Sequence, residues 1–337
     1  MIARFAVTAA AAALCLAAPA AAQDVAGFYK GKQIVVLVGT GPGTTYDIYA
    51  HTLAEHMGRH LPGAPNFIVQ GIPGAGGAKA AQMLYNTVAK DGTYLAVLQP
   101  NLVLSAVLDE QKPLFEYAKF GQIGGFAAVN GMLSVWTKAP ATTLEDAKKV
   151  ELFMGTTGPG SDTYQAPKLA NALLGTKFKV LSGYKDVGEM ELAMERGELH
   201  GRGGSVLSWT SRKPDWISGA KIAFLFQMGP KADPAIPNVP LLQDLVQGAD
   251  AKQIVAFFNA PTALGRGVMT TPNVPAERLK ALRDAFAATM KDARFLADAK
   301  TRILDIDPLT AEELEKTVAE ATSLTPELAA KARETQK

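Results

Sequence analysis

The stretch IVVLVGTGPGTTYDIYAHTLAEHM, residues 34–57, passes from an apolar, β-branched run through a small-residue loop into a helix-like segment. The loop holds Gly39, Gly41 and Gly43, and the helix that follows begins near Thr44 and Thr45. Strand, glycine loop and helix N-terminus together let backbone N–H groups face a ligand. Working outward, the pattern recurs: NFIVQGIPG reads as strand and loop, GGAKAAQMLYNTVA as helix and GTYLAVLQP as strand. Repeated β–α units with apolar strands imply a mostly parallel sheet covered by helices on both faces.

A second series follows an extended, glycine-interrupted segment, FGQIGGFAAVNGMLSVWT. It runs through VELFMGTTGPGSDTYQAPKLANALLG, KFKVLSGY, KDVGEMELAMERGE and LHGRGGSVLSW. After it come RGVMTTPNVPAERLKALRDAF and the tail LTAEELEKTVAEAT, whose Thr310 and Glu313 have the spacing of a capping box. Two series joined by extended segments predict two lobes with a cleft between them. The crossings are expected near Phe126–Met132 and Ala260–Val268.

Residues 1–22 read as a secretory leader: Arg4, a short Ala/Leu stretch, then Ala20, Ala21 and Ala22 before Gln23. The single cysteine, Cys15, would leave with it, and Leu14 before it does not suit a lipoprotein site. No later apolar run reaches spanning length. The 337 residues carry 34 basic and 32 acidic side chains, a net charge of +2 with no basic block, which argues against a nucleic-acid partner. The length suits two domains with a core that needs no disulfides.

The opening loop is neither a dinucleotide fingerprint nor a phosphate loop: its glycines are out of register and no Lys-Ser/Thr follows them. It leaves hydroxyls at Thr44 and Thr45, with Tyr46 and Asp47 in the first helical turn. A tight turn capped by Asp47 is the plain alternative. Three more small-residue loops sit at strand ends: IPGAGGAKAA with Gly74, Ala75 and Gly76; GTTGPGSDTYQA with Gly160, Ser161, Asp162 and Thr163; HGRGGSVLSW with Arg202, Gly204 and Ser205. Asn101 follows the third strand. Ligands of open α/β sheets sit beyond the carboxyl ends of the strands, and converging helix N-termini suit a small carboxylate. Arg202, between two glycines, is a candidate bidentate clamp, against the alternative of a surface arginine. His56 and His60 are spaced i, i+4 but lack a third ligand and read as helix-surface residues. No catalytic set assembles.

These motifs, in this order, resemble the tripartite tricarboxylate transporter solute receptors, also called Bug receptors. Pro42-Gly43-Thr44-Thr45-Tyr46-Asp47 is similar to the family's P-G-G-x-x-D, with Thr44 for a glycine. Ile72-Pro73-Gly74-Ala75-Gly76-Gly77 stands where the family has R-P-G-A-G-G, and Asp91-Gly92-Thr93-Tyr94-Leu95 where it has D-G-Y-T-L. Gly160-Ser161-Asp162-Thr163-Tyr164 resembles G-S-x-x-H with Tyr for His, and Tyr184-Lys185-Asp186 resembles Y-K-G. The resemblance implies a two-lobed periplasmic binding fold whose loops close on a carboxylated metabolite. The departures fall inside the ligand loops.

The expectation is therefore an α/β receptor of the periplasmic binding protein fold. It has a leader at 1–22, lobe 1 at 23–126, lobe 2 at 127–262 and a return to lobe 1 at 263–337. It is expected in the periplasm as a monomer, binding a small organic carboxylate and meeting integral-membrane transporter subunits. It is expected to use no cofactor and no metal, and not to be an enzyme. A carboxylate sensor subunit of a signalling system is the alternative.

Overall fold

The computed structural model describes residues 25–108 and 114–337, so the expected leader lies outside the described residues. The first sheet contains β1 (Gln33–Val38), β2 (Asn66–Gly71), β3 (Tyr94–Val97), β4 (Gly121–Gly125) and β10 (Gly267–Thr270). Its order is β2-β1-β3-β10-β4. The second contains β5 (Gly131–Trp136), β6 (Leu152–Thr156), β7 (Phe178–Ser182), β8 (Gly201–Ser205) and β9 (Ile222–Met228), in the order β7-β6-β8-β5-β9. Helices longer than six residues are α1 (Thr45–Met57), α2 (Ala78–Asn86), α3 (Asp162–Leu174), α4 (Val187–Glu195), α5 (Val206–Arg212), α6 (Ala249–Leu264), α7 (Ala276–Thr289), α8 (Ala293–Thr301), α9 (Ala311–Thr322) and α10 (Pro326–Glu334).

The period-2 alternation of β1 decides its two faces. Ile34, Val36 and Val38 pack with Tyr49, Leu53 and Phe126, whereas Leu37 turns to Ala80, Leu84 and Ala96. Both faces are covered, as the unbroken apolar run requires.

Each sheet is mixed. β1 is parallel to β2 and β3, and β6 is parallel to β7 and β8. The strands that enter from the other lobe, β10 and β5, are antiparallel to their neighbours. A chain returning through the crossing enters a sheet at the cleft end and must run away from it. The parallel strands run toward the cleft and deliver their loops there.

The two crossings pair with each other. Phe126 N–H donates to the Arg266 carbonyl at 3.0 Å, Arg266 N–H to the Ala127 carbonyl at 3.1 Å, and Val129 N–H to the Thr262 carbonyl at 3.0 Å. Gly265, at φ +50°, permits this approach, because a Cβ there would lie 1.8 Å from the Ala127 carbonyl oxygen. Helices α7, α8 and α9 pack on the first sheet or on α1, while α6 touches both β9 and α9. Among the described residues no helix is long and apolar enough to cross a membrane.

Candidate functional site

The loops after β1, β3, β6 and β8 meet across the crossing. They enclose two small chambers of about 40 and 30 Å3, and Tyr46, Asp162, Ser205 and Arg266 line both. Of the residues singled out in the sequence, Thr44, Thr45, Ser161, Thr163 and Gly204 also line the first chamber, and Asn101 lines the second.

The hydroxyl-rich loops owe their shape to local capping. Thr44 caps α1, its Oγ1 accepting from Asp47 N–H at 3.4 Å and contacting Thr40 Oγ1 at 2.6 Å. In the second lobe Ser161 and Thr163 share a 2.6 Å hydroxyl contact, and Thr156 Oγ1 lies 3.0 Å from Thr163 Oγ1. Ser205 caps α5 by accepting from Ser208 N–H. Such caps satisfy the orphan donors of a helix start.

Six sequence candidates are placed elsewhere. Asp47 turns back on its own loop, accepting from Gly43 N–H at 2.7 Å, the capping alternative weighed for it. Gly74 and Gly76 belong to a loop that closes directly on the second lobe: Gly76 N–H donates to the Thr157 carbonyl at 2.9 Å. Neither lines a chamber. Ala75 and Gly160 border a separate outer pocket of about 440 Å3.

Arg202, the sixth, lines neither chamber. It is fully buried, pairs with Glu191 at 2.9 Å and stacks over Trp209 with its guanidinium carbon 3.8 Å from the ring centroid. Its remaining bonds go to the Gly203 carbonyl and Ser208 Oγ. Neither a ligand clamp nor a surface arginine describes it, because a buried guanidinium needs a carboxylate and acceptors, and α4 and α5 supply them.

The cleft cation is Arg266, which the sequence reading passed over. It is 3 % exposed and donates to Tyr46 Oη at 2.9 Å and to Ser205 Oγ at 2.8 Å. Its guanidinium lies 4.1 Å from the Tyr46 ring centroid, and its Nε–H meets no protein acceptor. The signal was present: Arg266 stands between Gly265 and Gly267 within an expected crossing. Burial pushes the Tyr46 hydroxyl up to about 12, against the lowering pull of Arg266. Burial also raises the Asp162 carboxyl above its ordinary range, opposed by Arg266 and Arg202. Asp186 completes the charged lining; its Oδ1 caps α4 by accepting from Gly188 and Glu189 N–H.

The lobes also touch at Asn101 and Gln165, joined at 2.6 Å, and at Arg212, which donates to the Gly43 carbonyl. Gly41 accommodates Asp186, since a Cβ there would stand 2.1 Å from Asp186 Oδ2. Away from the cleft, the ligand atoms of Glu55, His56 and Asp298 lie within 4.8 Å of one another, but Arg302 donates to Glu55 at 2.6 Å and to Asp298 at 2.9 Å. The guanidinium already serves those carboxylates. His200 accepts from Phe153 N–H, and Ser205 is bonded to Arg266, so no His–Ser pair forms between them.

No family model matches the sequence. A solved structure described as the periplasmic binding protein BugD superposes with TM-score 0.71 at 17% identity, covering 90% of this chain and 97% of that one. The fold is that of the Bug-type periplasmic binding proteins. MatC from Rhodopseudomonas palustris, with bound malate, superposes with TM-score 0.68 at 16% identity over 90% of this chain and 99% of that one. In sequence, the chain is 29% identical over 262 residues to the UPF0065 protein in gbd 5′ region of Cupriavidus necator, spanning 72% of this chain and 73% of that protein. The resemblance to Bug receptors drawn from the motifs stands.

Proposed function

We propose that this chain is an exported, periplasmic receptor that captures a small organic carboxylate between its lobes and delivers it to a membrane transporter of the tripartite tricarboxylate type. It is a binding protein rather than an enzyme. The observation that carries this is Arg266, a buried cation in a hydroxyl-lined interlobe cleft, whose Nε–H is uncommitted to the protein. A guanidinium so placed offers charge-assisted hydrogen bonds to a carboxylate. The malate bound by the structurally similar MatC supports a carboxylate as the ligand class. The lobes proposed here are 23–126 with 263–337, and 127–262, preceded by a leader at 1–22.

The test is a thermal-shift screen of small acids against their methyl esters, followed by calorimetry. The acid should stabilise the chain and its ester should not. Arg266→Lys keeps the charge but loses the planar fork, and affinity should fall roughly tenfold or more, the scale of a lost charge-assisted bond. Equal shifts for acid and ester would overturn the assignment.

A further inference from the structure

The charges lining the cleft do not match a purely anionic ligand. One guanidinium, Arg266, faces two carboxylates, Asp162 and Asp186, around the first chamber. No ion pair joins Arg266 to either among the described residues; its hydrogen bonds go to Tyr46 and Ser205. Asp162 Oδ1 accepts from Thr163 N–H at 2.8 Å, and Asp162 lines both chambers.

Several helix N-termini, moreover, are already served by protein groups: Thr44 caps α1, Asp186 caps α4 and Ser205 caps α5, whereas the start of α3 at Asp162 carries no side-chain cap. Arg266 Nε–H is a buried donor that meets no protein acceptor.

Arg202 and Arg212 are both engaged by Glu191, at 2.9 and 3.2 Å, and neither lines a chamber. The charged side chains that line the first chamber are therefore one cation, Arg266, and two carboxylates, Asp162 and Asp186. A ligand that brings an ammonium together with its carboxylate answers both signs, and an anion answers one.

Resting on the carboxylate-receptor reading above, we propose that the ligand is a short zwitterion, an aminated acid whose carboxylate takes Arg266 and whose ammonium takes Asp162. The chambers, about 40 and 30 Å3, meet at these two side chains and admit only a few heavy atoms. The upward push of burial on the Asp162 carboxyl is what an unpaired acid in this position shows, and a ligand ammonium would offset it.

Calorimetry with matched pairs tests this: glycine, alanine, β-alanine and γ-aminobutyrate against acetate, propionate and butyrate. At least one aminated acid should bind tenfold or more tightly than the unaminated acid of the same skeleton. Asp162→Asn should cut that ratio at least tenfold, weakening the aminated acid and tightening the plain one, with Asp186→Asn as the comparison. Thermal melts check that the variants fold, and the ratio measured on the unaltered chain stands as a test even if they do not. Plain acids that bind as tightly as their aminated partners would overturn the zwitterion while leaving the carboxylate receptor intact. So would a ratio that survives both substitutions. No response to either series, together with equal shifts for acids and esters, would remove both readings.

Discussion

Two Gly-Arg-Gly tripeptides occur at 201–203 and 265–267, and the arginines they carry have different surroundings. Arg202 lies against Glu191 and Trp209, a buried pair that belongs to the second lobe's packing. Arg202→Met should therefore lower stability by about 3 kcal/mol, the scale for breaking a buried ion pair, while leaving discrimination between acid and ester unchanged. Denaturant titration and calorimetry on one variant measure both. The distinction between the arginines was only partly legible. Glu191 sits beside Met190, Ala193 and Met194, all buried, and a carboxylate among buried positions of a helix demands a buried cation. That clue was available for Arg202. Arg266, by contrast, is defined by Tyr46 and Ser205, 220 and 61 residues away, partners that no local pattern supplies.

At the scale of elements, His56 of α1 and His60 just beyond it act as fasteners. His56 meets Asp298 at 3.0 Å and the neighbouring His60 meets Asp292 at 2.8 Å, tying this part of the chain to α8 and its N-cap. The His60 contact, the Arg294 N–H and Arg59 hold the Asp292 carboxyl well below the usual carboxylate range. Burial pulls Asp298 the other way, but His56 and Arg302 outweigh it and its carboxyl is also lowered. A carboxyl depressed in the folded state stabilises above its unfolded value, near 3.9, and that contribution is lost as pH falls toward the folded value. Asp292→Asn should therefore melt lower than the parent at pH 7, and the gap should narrow from pH 5 to pH 3. Scanning calorimetry across that range gives the answer. The β–α rhythm and the Thr310–Glu313 capping box were legible because each is set by residues close in sequence. The antiparallel entry of β5 and β10 was not, because direction depends on which end of a sheet the crossing chain reaches.

For the molecule as a whole, the proposed mechanism is closure of two lobes around the crossings, with the ligand favouring the closed arrangement by touching both. Arg212 spans that closure, holding Glu191 of α4 and the Gly43 carbonyl of the β1–α1 loop. Arg212→Ala should speed ligand release roughly two- to tenfold, the worth of about one hydrogen bond, with little change in association rate. Stopped-flow fluorescence with an acid found in the screen would measure it, and a change confined to association would count against the latch. The two-lobe plan was legible because glycine-broken extended segments separate the two β–α series. The closed contacts were not, because they join loops that only the crossings bring together. Arg266 itself sits on a crossing, paired through its backbone with Ala127 and Phe126. In mechanical terms it lies at the axle, where a force has almost no lever arm. A ligand fragment gripping Arg266 alone would exert little torque on either lobe, whereas contacts at the rim, such as those made by Thr45 or Asp186, would turn them. Occupancy and closure are then separable: an acid too short to reach the rim would fill the seat without moving the jaws, and would hold the receptor idle.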